Sequence, residues 1–202
     1  MRLDRDDGGE ARLPPLPPRS WPAEMREALA PLKPPVPRSA DQPKGLNLLG
    51  TFAHHPALIG AYHAFVRHVL YESTLTPRHR ELLVLRVAAV RGADYEWAQH
   101  VVIASGVGLS RAEIEAVAGD IGVWQPLEAA LLAAADELLA VARISDATWG
   151  ILAGGFGAQQ LMDLVFTVGA YDTLAMAMRS FGVQLDDDLL AWAMPEGSAG
   201  SA

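Results

Sequence analysis

The sequence predicts an all-α fold, and three observations carry that expectation. No segment alternates polar and apolar residues as a half-buried strand would, whereas apolar residues recur at three- and four-residue spacing. Ala and Leu, both strong helix formers, dominate the central chain. Pro56, Pro77 and Pro126 each open a periodic segment, the one helical position where a missing amide costs nothing.

The elements follow in order. Of the 14 prolines, ten lie in residues 1–43, in clusters such as Pro14-Pro15, Pro17-Pro18 and Pro34-Pro35-Val36-Pro37. Proline fixes φ and lacks a donor, so only Trp21 to Ala30, with Pro22 at a first helical position, suits a short helix there. Residues 1–43 are therefore expected to be a Pro-rich arm, extended over its own domain or a neighbouring subunit, or disordered. A proline-motif ligand for another protein is the minor reading. Residues 44–194 should form one helical domain of about seven to nine helices, followed by a small, polar tail at 195–202.

Within the domain, Pro56 to Tyr71 keeps Leu58, Ile59, Tyr62, Phe65, Val66 and Val69 at helical spacing. Thr76 caps a helix that starts at Pro77 and runs to about Arg91, where Gly92-Ala93 breaks it. Asp94 is expected to cap the next, which ends at Gly106. Ser110 and Glu113 have capping-box spacing for a short helix over Arg111–Ala118. Pro126 opens a helix to about Ala142, Ser145 or Asp146 caps a segment to Leu152, and Ala158 to about Ser180 is long and apolar nearly all round. Such a helix is buried on every side, in this domain or against a partner subunit. Asp186 to Ala193 closes the fold. Gly154-Gly155-Phe156-Gly157 lacks the Lys-Ser/Thr of a phosphate loop and no strand precedes it, so it reads as a helix break.

Composition narrows the function. The chain has 202 residues, 24 acidic against 16 basic, and a formal charge of -8. Nucleic-acid binding needs clustered Lys and Arg, so that class is not expected. Zero cysteines exclude disulfides, thiolate metal sites and every thiol mechanism in this chain. No apolar h-region marks the start and no run of 18 or more apolar residues occurs, so a cytoplasmic protein without a membrane span is expected.

The densest polar cluster within apolar helices is Glu81 together with Tyr95-Glu96-Trp97-Ala98-Gln99-His100. Glu96 and His100, at i and i+4, share a helix face. Glu81 lies in the preceding helix amid Leu82-Leu83-Val84-Leu85, and a turn as short as Gly92-Ala93 lays the two helices side by side. A carboxylate beside an imidazole in a semi-apolar site is a tunable acid–base pair. A bland alternative stands beside it: Glu96 and His100 form a solvated pair, and Glu81 salt-bridges Arg86 or Arg91.

Here the sequence resembles the carboxymuconolactone decarboxylase family, which shares the AhpD-like fold. The resemblance rests on Glu81-Leu-Leu-Val-Leu-Arg86 followed by Tyr95-Glu96-Trp97-Ala98-Gln99-His100. It extends to Leu75-Thr76-Pro77-Arg78-His79-Arg80, His55-Pro56-Ala57-Leu58, Ser145-Asp146 and Tyr171. It covers about residues 45 to 190, with its specific part at 75–105. In the hydroperoxidase branch a Cys-x-x-Cys lies between the glutamate and the histidine; those positions here hold Ala93 and Glu96. Thiol peroxidase chemistry is thereby excluded despite the shared fold.

The resemblance implies a cofactor-free lyase that decarboxylates a small carboxylated lactone or keto-acid-like molecule through an enolate. It implies His100 as proton donor, with Glu96 and Glu81 orienting the imidazole. Arg86 is a possible anion-binding or structural residue, and Tyr95 and Trp97 would wall the pocket. His55 could reach the pocket mouth, although a role in starting its helix is the more ordinary one, and His79 should be exposed. His63 and His68 are badly spaced for a shared metal, and no tight ligand motif occurs, so no metal is expected. A homo-oligomer, trimeric or hexameric, is further implied. The alternative is a non-catalytic member of the fold, a helical oligomer that binds a small acid or serves as a scaffold.

Overall fold

The computed structural model describes residues 10–33, 44–119 and 124–194, and these are all-α with no strand among them. The α-helices are α1 (Met25–Ala28), α2 (Leu46–Phe52), α3 (Pro56–Arg67), α4 (Pro77–Arg91), α5 (Asp94–Gly106), α6 (Arg111–Val117), α7 (Pro126–Val141), α8 (Asp146–Gly155) and α9 (Ala158–Phe181). Shorter 3-10 turns occupy Pro18–Ser20, Ala30–Leu32 and Asp187–Trp192, and a π turn, His68–Glu72, extends α3. Counting these turns, the helical segments among the described residues exceed the expected seven to nine.

The caps follow the local chemistry. Thr76 accepts the amide of His79 at 3.1 Å, Ser145 that of Thr148 at 3.3 Å, and Ser110 with Glu113 completes a capping box. At α5 the expectation fails by one residue: Ala93 is the cap, without a side-chain bond, and Asp94 is the first helical residue. Gly92 sits at φ +61°, the left-handed conformation that glycine adopts freely. From there the Ala93 amide reaches back to the Ala88 carbonyl at 2.9 Å, and α5 returns along α4.

Helix α4 is the centre of the domain. Leu82, Leu83, Val84 and Leu85 are all fully buried, as they must be when α5, α7 and α9 pack around one helix. Its polar side chains escape at the edges. Arg78 bonds Glu113 and Glu128, Arg86 bonds Asp136, and Arg91 bonds Asp172, so α4 is tied to α6, α7 and α9 in turn.

Helix α9 is buried within this chain along one side only. Leu161, Leu164, Val168, Tyr171, Ala175 and Met178 face inward, but Met162, Val165, Phe166 and Met176 are exposed. Among the described residues α9 is the one helix long and apolar enough to cross a membrane, with a mean hydropathy of 1.3 over a window half buried inside the domain.

Residues 10–33 lie on their own domain. The Leu13 amide bonds the Phe181 carbonyl and the Leu16 amide the Gly50 carbonyl, both at 3.0 Å. Met25 and Ala28 bury against Ala53, and the buried His63 ring bonds the Ala28 carbonyl at 2.8 Å. Instead of one helix over Trp21–Ala30, the arm forms α1 and the Ala30–Leu32 turn, because Pro31 interrupts it. The Pro34-to-Pro37 cluster and the tail at 195–202 lie outside the described residues.

Candidate active site

Two helices and one turn build the site. Glu81 projects from α4 and His100 from α5, and the tight Gly92 turn brings their stripes face to face. His100 Nδ1 lies 2.7 Å from Glu81 Oε2, and neither side chain is solvated: Glu81 is fully buried and His100 is 7% exposed. The second Glu81 oxygen accepts from Arg80 Nε at 2.9 Å, while Arg80 Nη1 donates to the Leu70 carbonyl at 2.7 Å. Glu81 therefore pairs with neither Arg86 nor Arg91, the two partners the sequence suggested.

Electrostatics set the protonation states. Burial pushes the Glu81 carboxyl up, but His100 and Arg80 together outweigh that and hold it below its ordinary value, so it stays ionised. With Nδ1 committed to Glu81, His100 presents Nε2 as its remaining nitrogen, and no described residue bonds to it. The Tyr171 ring of α9 meets the imidazole edge-on at 5.0 Å. Burial first, then the charges of Glu81 and Glu96, raise the Tyr171 phenol well above its ordinary value.

Glu96 stands one turn before His100 and does not do what was expected of it. It makes no hydrogen bond to the imidazole; both of its oxygens are buried without a hydrogen-bond partner among the described residues, at 1% exposure. Burial, and secondarily the charge of Asp172, pushes its carboxyl far above the ordinary range. A buried carboxylate with no donor would cost several kcal/mol, so these surroundings favour the protonated form of Glu96.

The remaining candidates lie elsewhere. Arg86 makes a two-pronged pair with Asp136 at 2.7 Å for each bond and donates to the carbonyls of Val117 and Gly119, which leaves it a tie between α4, α6 and α7. Tyr95 turns to the opposite flank of α5, where its hydroxyl bonds Asp186 at 2.6 Å and its ring packs with Met178 and Leu189. Trp97 is 2% exposed in the main core. The positions 95 and 97 flank Glu96, so a helix turning 100° per residue aims them away from it. His55 caps α3, its Nδ1 accepting the Leu58 amide at 3.4 Å, on an exposed surface facing the arm. His79 is half-buried, edge-on to Phe156 at 5.2 Å, where exposure was expected.

Arg80 was missed, although an arginine beside a glutamate in an otherwise apolar helix is itself a signal. Tyr62 of α3, for which helical spacing predicts only a core role, has a half-buried hydroxyl that donates to the Ala170 carbonyl at 2.7 Å, close to Glu96. Among the described residues no three His, Asp or Glu side chains are grouped to hold a metal ion.

Residues 56–138, which contain α3 to α6 and nearly all of α7, match the carboxymuconolactone decarboxylase family. The match takes in both helices that carry Glu81, Glu96 and His100. The chain's likeness to solved structures gives the same fold. A protein of unknown function from Agrobacterium tumefaciens, ascribed to AhpD-type antioxidant defence, aligns with a TM-score of 0.63 at 23% identity, over 67% of this chain and 94% of the other. An uncharacterised peroxidase-related protein with an alkylhydroperoxidase AhpD core, from Ralstonia eutropha JMP134, aligns at 0.64 and 20% identity, over 77% and 92%. The debrominase Bmp8 aligns at 0.69 and 14% identity, over 89% and 94%. No curated protein matches the sequence significantly. Ala93 and Glu96, compared above with the Cys-x-x-Cys of the hydroperoxidase branch, are both buried.

Proposed function

We propose that this protein is a cytoplasmic, cofactor-independent lyase of the carboxymuconolactone decarboxylase type, acting on a small carboxylated lactone or keto-acid-like substrate. The observation that supports this reading is the buried Glu81–His100 pair. A solvated salt bridge would have favoured a merely structural or binding role; an imidazole whose Nδ1 is fixed by a buried, ionised carboxylate is instead oriented to exchange a proton at Nε2.

The chemistry balances without further components. The bond between the substrate carbon and its carboxylate breaks, and the electron pair moves into the conjugated carbonyl to leave an enolate and CO2. Protonated His100 then delivers its Nε2 proton to carbon, the carbonyl re-forms, and the neutral imidazole regains a proton from solvent. Glu81 stabilises the imidazolium and fixes the ring; Arg80 keeps Glu81 ionised. Carboxylated lactones and β-keto acids, assayed for CO2 release and ultraviolet change, test this with wild type beside His100→Ala. Turnover in the wild type and its loss in a folded variant is the expected result. Unchanged kcat would remove His100 from the mechanism.

We also propose that the protein is a homo-oligomer, trimeric or hexameric. Support comes from the exposed face of α9, where Met162, Val165, Phe166 and Met176 recur at helical spacing and Phe65 of α3 packs edge-on against Phe166 at 6.1 Å.

A further inference from the structure

Glu96 stands out from every other carboxyl group described. It is 1% exposed, neither oxygen has a hydrogen-bond partner among the described residues, and no cation touches it. Buried polar groups are nearly always satisfied, so a carboxyl with both oxygens left open calls for an explanation. Its position says what a partner there would meet. One helical turn separates it from His100, which puts their Cβ atoms about 5–6 Å apart on one face of α5. A small ring admitted across that face would meet Nε2 of His100 and the carboxyl of Glu96 together. The guanidinium beside the pair, Arg80, is spent on Glu81 and the Leu70 carbonyl.

We propose that Glu96 is a second catalytic residue, a carboxylic acid that donates its O–H to the enolate oxygen of the substrate while His100 serves the carbon. This rests on the enolate reading above and deepens it. As the carbon–carboxylate bond breaks, charge gathers on the former carbonyl oxygen. The O–H of Glu96 shortens onto that oxygen without transferring its proton, and the group is neutral again when the carbonyl re-forms. An aspartate or glutamate kept protonated in an apolar setting is a known means of stabilising such an oxyanion. Asp172, whose charge disfavours ionisation of Glu96, is itself held by Arg91 at 2.6 Å, and Tyr62 and Tyr171 complete the apolar surround. A neutral donor beside one imidazole with only Nε2 open suits a substrate carrying a single negative charge better than a tri-acid.

Two measurements on the full chain test it. Infrared spectra with 13C-labelled glutamate, at neutral pH, are expected to show a protonated carboxyl band that disappears in Glu96→Gln. Binding of 4-nitrophenolate, an enolate-like oxyanion, is expected to weaken about 10–100-fold in Glu96→Met, which removes the donor, and to survive largely in Glu96→Gln, whose amide still donates. Circular dichroism establishes that each variant is folded, and the infrared arm needs only the glutamine variant. Absence of the band overturns the proposal. So does a band accompanied by unchanged phenolate affinity in Glu96→Met, and that outcome leaves the His100 chemistry standing. Failure of the wild type to turn over any acid, with band and phenolate effects present, overturns the lyase reading and not the donor.

Discussion

His100 Nδ1 lies 2.7 Å from Glu81 Oε2, on a carboxylate whose other oxygen is already held by Arg80 at 2.9 Å. Glu81 is thus an ion kept in a fully buried place by two neighbours, and its folded pKa lies below 4.5. A depressed carboxyl contributes stability that is present above the unfolded value and lost as pH falls from about 4.5 toward the folded one. Glu81→Gln should flatten that acid limb in urea titrations across pH. It should also lower stability at neutral pH by about 3–5 kcal/mol, because Arg80 is left half-buried and unpaired. Activity should drop about 100–10,000-fold. An acid limb identical to wild type would mean that Glu81 is not the ionised member.

Arg86 makes the opposite case. It sits five residues beyond Glu81 in the family pattern, yet four hydrogen bonds bind it to Asp136, Val117 and Gly119. Arg86→Ala should cost about 2–4 kcal/mol, since it strands a carboxylate and two carbonyls. Thermal unfolding and steady-state kinetics separate the roles: Tm falls while kcat/KM per folded molecule stays within about twofold. A selective rise in KM would return Arg86 to the substrate.

Much of this was legible in the sequence, and the reasons differ by residue. Helix starts at Pro56, Pro77 and Pro126 and the capping box at Ser110 are local chemistry, so they read directly. The Glu81–His100 contact was legible because one glycine turn leaves two helices little choice but to lie together. What Glu96 does was not, because spacing says which residues share a face and nothing about whether a partner is present. Tyr95 and Trp97 misled for a related reason. Adjacent positions in a motif point to different sides of a helix, and the Tyr95 partner, Asp186, is 91 residues away. Helix α2 and the π turn after α3 carry no cap or break that the sequence advertises.

The arm gives a third prediction. A Cβ at Gly50 would lie 2.5 Å from the Leu16 carbonyl oxygen and 2.9 Å from Pro15 Cβ, closer than such atoms approach. The Leu16 oxygen is backbone, so no side-chain rotation can relieve that contact. Gly50→Val should lift residues 13–21 from α2 and break the Leu16–Gly50 bond. Limited proteolysis should then cut that stretch at least about tenfold faster, as expected of locally released chain. Unchanged protection would mean that the arm is held elsewhere.

The exposed face of α9 supplies a fourth. If copies of this chain cover it, Phe166→Glu places a charge in an apolar contact and should shift light-scattering mass from a multiple of 21.6 kDa toward a single chain. A wild-type mass of one chain at every concentration would remove the oligomer proposal altogether.

Glu96 carries a pH signature of opposite sign to that of Glu81. Its folded pKa is raised well above 4.5, so between the unfolded and folded values the native state holds a proton that the unfolded chain has released. Its stabilising effect is complete below about 4.5 and drains away as pH rises toward the folded value, by at most about 1.4 kcal/mol per pH unit. Glu96→Gln cannot ionise and lacks that loss. Chemical denaturation of the two proteins should therefore show a gap that moves in favour of the glutamine variant as pH rises from about 5 to about 8. The groups around it, Asp172, Tyr62, Tyr171 and His100, are the same in both proteins, so their own titrations largely cancel in the difference. A gap constant with pH would mean that Glu96 ionises as freely in the fold as in the open chain, and the neutral donor would have no basis.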